Sequence, residues 1–398
     1  MGLGHGGTIS AQGRRLAAKR AFRLSALSLL DHWLALRRRV TPRAQQRPSR
    51  VLLAASNKLM AEHLLRVWAC SQEVVDARAW LTTFPGSSSW AERVGSHDVG
   101  WHSMHKARLK NWDVILLADH MTLEFARSVP KVMVGHGIAW GRMVKSGSYR
   151  YDPERALWPD GSPVYTLMFD AADLTADLGR SWLPVYSDRI RVVGSLAADE
   201  MLALRADRDR IRDSLDVGHR RLVVIMSSWG PHGLIPRYGS QILPMLSRLV
   251  DSGDFAFVIT MHQNLWSGLK PPGDWAGMVR AAERPHVRVV GPDEDAVPFL
   301  AASDAAVTDH TSFGTVYSLL RQPMIPMYVP PDFLTPGTYS RWLMDSHSPL
   351  HRVDDLEAAL RADDERYVPI GGPTFISRVG QSRQLVRSAL LEVLPARS

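Results

Sequence analysis

The sequence predicts an α/β protein in which two doubly wound domains face a cleft, with a basic helix preceding them. Short runs rich in Val, Ile and Leu recur along the chain, as expected for parallel strands that are buried on both faces. Most of these runs are followed by a helical pattern of about 10–15 residues. The runs form two series, and a length of 398 residues suits two domains of roughly 150 residues with additional segments.

The first series lies within residues 50–189, which we expect to form an N-terminal domain. A helix is expected over residues 58–69, where Leu64, Val67 and Trp68 lie on related faces. The expected strands are residues 51–55, 114–117, 132–134 and, in a less regular segment at 141–185, residues 168–169. The alternation of strands and helices predicts parallel pairing.

The second series lies within residues 190–375, which we expect to form a C-terminal domain. Helices are expected at about 198–214 and 240–251. The expected strands are residues 190–193, 222–226, 255–259, 287–290, 305–307 and 324–327. A final helix at about 376–394, within a last unit of residues 376–398, is expected to pack back across both domains.

The net charge of +8 comes from the N-terminal tail rather than from the body of the chain. Residues 1–50 contain eleven Lys and Arg and one acid, Asp31, so this segment carries +10 and the remainder carries −2. A basic folded face for duplex nucleic acid is not indicated, and we expect no nucleic-acid partner. Cys70 is the only cysteine, which excludes an intrachain disulfide and a cysteine-based zinc cluster. With no convincing Asp/Glu cluster either, we expect no metal and no cofactor.

The tail predicts a membrane contact. Residues 14–39 form an amphipathic pattern between two Arg clusters, and its apolar stretch of roughly 15 residues is too short to span a bilayer. Such a helix suits an anionic membrane surface, which would place the protein in the cytoplasm, peripheral at the inner face of the cell membrane. The alternatives are a packed helix with a solvated basic edge and an export signal, which Asp31 opposes. Residues 40–49 contain two prolines and predict a linker, so that residues 1–49 form the tail.

Ligands of open parallel sheets bind beyond the carboxyl ends of the strands, so polar residues at these ends are candidate site residues. The expected strand at 132–134 is followed by Gly135-His136-Gly137, in which two glycines flank a histidine and leave its imidazole exposed. Arg142 follows within two turns of chain. The alternative is a loop histidine that makes a local hydrogen bond.

Two further strand ends lie in the second series. Ser227 and Ser228 follow the strand at 222–226, and their hydroxyls in a Gly-rich turn could hold phosphate oxygens. His262 follows the strand at 255–259 and is placed for acid, base or electrostatic work. An ordinary turn and a structural histidine are the alternatives.

The strongest candidate segment is Thr308-Asp309-His310-Thr311-Ser312, where a short strand enters a polar turn before a helix. Thr311 and Ser312 occupy the N-cap and first-turn positions, where free amides and hydroxyls form an anion site. Asp309 would repel a bound phosphate, so we assign it to holding the turn or to a ribose. A plain capped helix is the alternative.

The absence of two phosphate-binding motifs narrows the function classes. The sequence contains neither a G-x-x-x-x-G-K-[ST] loop nor a G-x-G-x-x-G fingerprint after the first strand. This argues against P-loop ATPases, ordinary kinases and NAD dehydrogenases. His136 and His262 lie at strand ends of different expected domains, which suits a cleft with a nucleotide on the second domain.

On these residues the sequence, over roughly 130–330, resembles the CDP-glycerol glycerophosphotransferase family of teichoic-acid-type polymerases and, more broadly, GT-B glycosyltransferases. The family's His-Gly motif is matched by Gly135-His136-Gly137, and its Thr-Asp-Tyr-Ser-Ser run by residues 308–312. Looser matches are Val193-Gly194-Ser195, residues 225–229 and His262. The chain departs from the family at His310, at Thr311 and at Gln263, where tyrosine, serine and proline are usual.

The resemblance implies a GT-B fold with Rossmann-like acceptor and donor domains, and transfer of a glycerophosphate (polyol phosphate) unit from a CDP-activated donor to an acceptor hydroxyl. Such a hydroxyl could belong to a lipid-linked acceptor in cell-envelope polymer synthesis. His136 would be the general base, with His262 as the second catalytic histidine. The remaining assignments are donor-phosphate binding by Thr311, Ser312, His310 and Arg142, and nucleotide binding by Ser227, Ser228 and Asp309.

Three alternatives to this activity stay open. A GT-B sugar transferase would use the same cleft with an NDP-sugar donor. A nucleotide-sugar 2-epimerase shares the phosphate-binding turn but normally has more acidic residues in its cleft. A non-catalytic, membrane-attached nucleotide-binding protein would bind a donor without turning it over.

Overall fold

The structure is a computed structural model that describes residues 48–83, 99–120, 125–135, 151–267, 272–362 and 373–396, together with residues 29, 31 and 33 and the backbone of two short strands at 143–144 and 147–148. Within these residues it contains two parallel sheets that are flanked by helices. The predicted α/β class with two doubly wound domains is therefore confirmed.

The first sheet has seven strands in the order β3-β2-β1-β4-β5-β8-β9, and the second has five in the order β12-β11-β10-β13-β14. All neighbouring strands in both sheets are parallel, whereas β6 and β7 form a separate antiparallel pair. The strands are β1 Ser49–Ala55, β2 Ala77–Thr83, β3 Val99–Trp101, β4 Val114–Leu117, β5 Lys131–Met133, β6 Met143–Val144, β7 Gly147–Ser148, β8 Leu167–Asp170, β9 Ile190–Val192, β10 Arg221–Ser227, β11 Phe255–Met261, β12 Val287–Val289, β13 Ala305–Thr308 and β14 Met324–Pro326.

Helices connect most of the strands and cover both faces of each sheet. The described α-helices are α1 Lys58–Ala69, α2 Met104–Arg108, α3 Pro153–Ala156, α4 Asp173–Trp182, α5 Leu196–Leu204, α6 Arg208–Ser214, α7 Leu234–Asp251, α8 Gln263–Trp266, α9 Trp275–Arg280, α10 Val297–Ala302, α11 Ser312–Tyr317, α12 Tyr339–Ser346, α13 Asp354–Ala362 and α14 Ser382–Leu391. None of the helices in the described part of the chain combines the length and apolarity that a membrane span requires.

Helix α1 shows how the local sequence builds these units. Asn57 caps it, because the Asn57 side chain accepts a hydrogen bond from the backbone N–H of Met60 at 3.0 Å. Met60, Leu64 and Val67 then recur at helical spacing and are buried against the first sheet. Full burial of one such side chain contributes roughly 1.5–3 kcal/mol.

Four buried hydrophobic clusters, two for each sheet, account for the continuous apolar runs in the sequence. In β10 the side chains of Val223 and Ile225 pack on one face, while Leu222, Val224 and Met226 pack on the other. A strand buried on both faces has no solvated side, so no polar alternation is retained.

The junction between the two domains differs from the sequence expectation. The strand expected at 190–193 to begin the second domain is β9, which instead pairs with β8 at the edge of the first sheet. Apolar composition identifies a strand but does not specify its neighbour. The chain leaves β9 through Gly194, which has φ of +75° and is packed against the Ser377 carbonyl.

The elements that were not expected from the sequence include β2, β3 and α4. Strands β2 and β3 escape the pattern because Arg78, Thr82 and Gly100 interrupt the apolar runs. Helix α4 lies in the segment that we expected to be less regular. Its buried residues Thr175, Ala176 and Gly179 are small, unlike the large aliphatic residues of the predicted helix α1.

The C-terminal segment crosses from one domain to the other. Phe375 and Ile376 pack in a core cluster of the second domain, whereas Val386 and Leu390 of α14 pack on the first sheet. The expected helix at 376–394 is shorter in the structure, since α14 begins at Ser382. Asp199 of α5 anchors the start of α14, because its carboxylate accepts hydrogen bonds from the backbone N–H groups of Gly380 and Ser382.

Most of the expected basic helix at residues 14–39 lies outside the described residues. Leu29, Asp31 and Trp33 are described and are helical. The Asp31 carboxylate accepts hydrogen bonds from the backbone N–H groups of Arg127 and Ser128 at 2.8 and 2.9 Å, and from the Ser128 hydroxyl at 2.7 Å. These bonds attach this part of the tail to the loop that precedes β5.

Candidate functional site

A pocket of about 90 Å³ lies where the carboxyl ends of the first-sheet strands meet the second domain. It is smaller than a complete ligand site, for which roughly 300–1,000 Å³ is usual. Its polar and glycine lining comes from both domains and from the junction: His63, Gly135, Asp170, Gly194, Ser195 and Ser312.

Ion pairs from α1 connect the two walls of the cleft. The Lys58 ammonium donates to the carbonyl of Asp293 at 2.9 Å and lies 3.4 Å from the Asp293 carboxylate. The Arg66 guanidinium contacts Asp295 at 2.5 Å and Glu200 at 3.6 Å. Both acidic partners of Arg66 belong to the second domain or the junction, so α1 orients the first domain relative to the second.

On the first-domain wall, the described segment 125–135 ends at Gly135. This residue lines the pocket and has a φ of +76°. A non-glycine residue would be strained in this left-handed conformation. The predicted catalytic His136 and the predicted phosphate ligand Arg142 lie outside the described residues. Their assigned roles stay predictions.

Asp309 organises the second-domain wall. Its carboxylate accepts hydrogen bonds from the backbone N–H groups of Ser228 at 2.8 Å, Leu234 at 2.7 Å and Thr311 at 2.9 Å. Burial raises the pKa of this carboxyl to about 7, against the lowering effect of those donors. Asp309 as a whole residue is 2% exposed. The sequence left two roles open, holding the turn or contacting a ribose, and these contacts are those of a residue that holds the turn.

Ser227 and Ser228 are both buried in the turn that Asp309 holds. The Ser227 hydroxyl donates to the carbonyl of Ser228 and accepts from the backbone N–H of Ile235, each at 2.9 Å. These two bonds support the start of α7. Donation by the Ser227 hydroxyl to a nucleotide oxygen would require it to give up its bond to the Ser228 carbonyl.

His262 directly follows β11 and is the N-cap residue of α8. Its Nδ1 accepts a hydrogen bond from the backbone N–H of Asn264 at 3.1 Å, so a neutral His262 carries its proton on Nε2. The ring is half-buried and lies against Trp229, with a centroid distance of 5.8 Å. A neutral His262 can therefore donate a hydrogen bond from Nε2.

His310, Thr311 and Ser312 occupy different environments although they are consecutive. The His310 side chain is buried with its ring edge-on to Phe333 at 5.3 Å. Thr311 is the N-cap of α11 and makes no side-chain capping bond, and Ser312 lines the pocket. Ser312 is thus the one residue of the predicted second-domain set that the described pocket lining contains.

From the sequence, no site role was assigned to three polar residues of the pocket: His63 on α1, Asp170 at the end of β8, and Ser195 before α5, which was named only in a loose motif match. Asp170 had a usable signal, because it directly follows the expected strand at 168–169. Its buried carboxylate accepts hydrogen bonds from the hydroxyls of Tyr151 and Thr175 and from the backbone N–H of Ala171.

Within the described residues, no group of three or more His, Cys, Asp or Glu side chains is arranged to hold a metal ion. The free Cys70 thiol is buried, and burial raises its pKa. The chemistry available to the described part of the cleft is therefore that of hydroxyls, imidazoles, a carboxylate and backbone amides.

Comparison with known proteins gives similarity at the level of the fold. No protein-family description matches the chain, and no curated protein matches it in sequence. The solved structure of the wall teichoic acid polymerase TagF is 12% identical, covers 97% of this chain and 93% of that one, and superposes with a TM-score of 0.57. An S. aureus MnaA–UDP structure is 14% identical, with coverage of 87% and 96% and a TM-score of 0.56.

A UDP-GlcNAc 2-epimerase from Neisseria meningitidis, solved with UDP-GlcNAc, is 13% identical, with coverage of 86% and 100% and a TM-score of 0.55. At these identities the likeness extends to the fold and not to the reaction. The prediction of a GT-B type fold is confirmed: this chain consists of two Rossmann-like domains that face a cleft, as in these proteins.

Proposed function

We propose that this protein transfers a glycerophosphate (polyol phosphate) unit from a CDP-activated donor to an acceptor hydroxyl in the synthesis of a cell-envelope polymer. The observation that carries the proposal is the interdomain pocket, because Gly135 and Ser312 line it from opposite domains. Each belongs to one of the two motifs on which the resemblance rests, residues 135–137 and 308–312. Gly135 and Ser312 are 177 residues apart in the sequence and line the same pocket.

In this proposal the residue after Gly135, His136, removes the proton from the acceptor hydroxyl. The oxygen then attacks the phosphorus that carries the polyol, the bond from that phosphorus to the bridging oxygen breaks, and CMP leaves with the electron pair. General-base assistance of this kind is typically worth 10²–10⁴-fold. The first domain would thus bind the acceptor.

The second domain would hold the leaving nucleotide. The Ser312 hydroxyl, Thr311 and the Nε2–H of His262 are hydrogen-bond donors that can stabilise charge on the departing phosphate, with Arg142 as an added cation. Asp309 keeps the turn in place and lies outside the pocket lining, which limits its repulsion of the phosphates.

The fold supports this reaction class without selecting the donor. TagF is named as a wall teichoic acid polymerase, whereas the MnaA and Neisseria structures hold UDP and UDP-GlcNAc. A second candidate is therefore a GT-B transferase that uses an NDP-sugar. The released nucleotide separates the two, because glycerophosphate transfer yields a nucleoside monophosphate and sugar transfer yields a nucleoside diphosphate.

The test incubates the purified full-length protein with CDP-glycerol or UDP-sugars and a hydroxyl acceptor, and identifies the released nucleotide. CMP release that is lost in His136→Ala is expected. UDP release would favour the sugar transferase, and donor binding by calorimetry without release would favour a non-catalytic binding protein. Full CMP release by His136→Ala would overturn the assignment of the base.

We also propose that the tail places the protein at the inner face of the cell membrane. Leu29 and Trp33 are 74% and 46% exposed, and residues four apart share one face of a helix. Asp31 is the only acid among the first 50 residues, and it is engaged by Arg127 and Ser128 of the body. The outward side of this segment thus keeps the apolar residues, while the acid is directed away from an anionic surface.

The membrane proposal is tested by sedimentation with vesicles of phosphatidylglycerol and phosphatidylcholine. Leu29→Ser combined with Trp33→Ser is expected to shift the protein to the supernatant. Trp182→Ser combined with Leu391→Ser removes similar exposed apolar side chains elsewhere and serves as the matched control. Equal partition of the two double variants would count against a role of the tail.

A further inference from the structure

A cluster of basic and aromatic side chains lies on one face of the first sheet, apart from the interdomain pocket. We call it the basic–aromatic cluster, and its members are Arg50, Trp80, His102, Lys106, Lys110 and Trp112. Arg50 shares the face of β1 that carries Leu52 and Ala54. It precedes Ala55, at the cleft end of β1, by five residues, or roughly 16 Å of strand.

The cluster is organised around a lysine and a histidine. The Lys110 ammonium lies 2.8 Å from Nε2 of His102. An ammonium can only donate, so Nε2 of His102 accepts and the imidazole is neutral, with its proton on Nδ1. The ring of His102 is nearly parallel to that of Trp80, at 4° and a centroid distance of 6.3 Å.

Trp80 and Trp112 contact the guanidinium of Arg50. The guanidinium carbon of Arg50 lies 5.4 Å from the ring centre of Trp80 and 5.1 Å from that of Trp112, within the range of cation–π attraction. Trp112 is buried, its indole N–H donates to the Ala107 carbonyl at 2.7 Å, and it forms a rigid floor. Lys106 is exposed, and the side chains of Arg50, Trp80, His102 and Lys110 are part-exposed.

The charges in the cluster have one sign. Burial, together with the charges of Arg50 and Lys106, lowers the pKa of Lys110, and burial together with the three cations lowers that of His102. The described residues include no carboxylate within ion-pair distance of the Lys106 or Lys110 ammonium. The Asp113 carboxylate accepts from the backbone N–H of Arg50 at 2.8 Å. Repulsion between such cations is relieved when an anion binds between them.

We propose that the basic–aromatic cluster binds a phosphodiester group, with Lys106 and Lys110 as the direct cationic ligands. Ammonium groups contact phosphate oxygens as compact point charges, and the Trp80 face accommodates the carbon atoms next to the phosphate. The same chemistry is offered by a phospholipid headgroup and by a soluble phosphodiester. The proposal concerns a surface separate from the pocket and does not depend on the transfer reaction.

The test measures binding of the full-length protein to two probes: vesicles of phosphatidylglycerol in phosphatidylcholine, and soluble glycerophosphoglycerol. Lys106→Gln combined with Lys110→Gln is expected to weaken binding to at least one probe by about tenfold or more, because it removes both cationic ligands of the phosphodiester. Loss with vesicles alone assigns the site to a lipid headgroup, and loss with the soluble diester assigns it to a free phosphodiester.

Arg210→Gln combined with Arg352→Gln is the matched control, because it removes the same charge from exposed positions of the second domain. Binding should keep its parental affinity in this control. Equal affinity of the two double variants for both probes would overturn the proposal, and so would failure of the parent protein to bind either probe. Circular dichroism of both variants establishes that the fold is retained.

Discussion

Two aspartates at strand ends on opposite sides of the cleft show how one residue type can serve two purposes. Asp309 follows β13 and accepts hydrogen bonds from three backbone N–H groups, while Asp170 ends β8 and accepts from two side-chain hydroxyls and two backbone N–H groups. Both are buried, but only Asp170 lines the described pocket. A carboxylate bound by the backbone alone shapes the wall, whereas one that also accepts from rotatable hydroxyls can adjust to a ligand.

The largest expected effect is on stability at Asp309. Asp309→Ala leaves two buried N–H groups and one part-buried N–H without their acceptor, each buried group costing about 1–3 kcal/mol, so we expect a loss of about 3–5 kcal/mol in the free energy of unfolding. Chemical denaturation measures it. Asp173→Ala, at an exposed position, should change stability by less than about 0.5 kcal/mol. Similar losses in both variants would remove the structural role of Asp309.

The pH dependence of stability provides a second test of the role of Asp309. Burial raises the pKa of Asp309 to about 7 in the folded protein, from a model-peptide value of 3.8. Between these values the folded state holds a proton that the unfolded state has released, so stability contributed by that proton is complete below about pH 4 and is lost as the pH rises towards 7. Asp309→Asn should flatten this part of the stability–pH curve, as measured by urea denaturation at each pH. A curve that keeps the parental slope would contradict it.

Asp170 is expected to behave differently when its charge is removed. Asp170→Asn keeps one acceptor oxygen and replaces the other with an amide that can donate to the Tyr151 oxygen, so we expect a stability loss of only about 1–2 kcal/mol. Because the residue lines the pocket, donor turnover should fall more than stability alone explains. Turnover measured well below the melting temperature separates the two effects. A variant with parental turnover would place Asp170 beside Asp309 as a purely structural residue.

The smallest effect is expected at Ser312. Its side chain lies in the pocket lining, so Ser312→Ala should leave stability within about 0.5 kcal/mol. Loss of one hydrogen bond to a donor phosphate should weaken nucleotide binding about tenfold, as measured by calorimetry with CDP-glycerol. Ser318→Ala removes a hydroxyl of the following helical turn and should bind as the parent does. Unchanged affinity in Ser312→Ala would show that the pocket does not hold the phosphates.

Elements with a strong local pattern were predicted closely. Helix α1 has the expected limits of Lys58–Ala69, because an N-cap asparagine and helical apolar spacing are both local signals. Strand β9 was predicted as a strand but assigned to the second domain, whereas it pairs with β8 of the first sheet, because its partner is chosen by packing. His310 illustrates the same limit within the site: its position in a motif suggests ligand contact, whereas Phe333, 23 residues later, covers its ring.

The sequence by itself determined that strands alternate with helices and that glycine, serine and histidine follow the strand ends, since hydrophobic period and turn chemistry depend on neighbouring residues. Tertiary structure alone decided which of these turns meet. Gly135, Asp170 and Ser312 share a pocket only because parallel pairing brings distant strands to one edge and the ion pairs of α1 hold the domains together. Such contacts join residues far apart in the chain, so no local pattern specifies them.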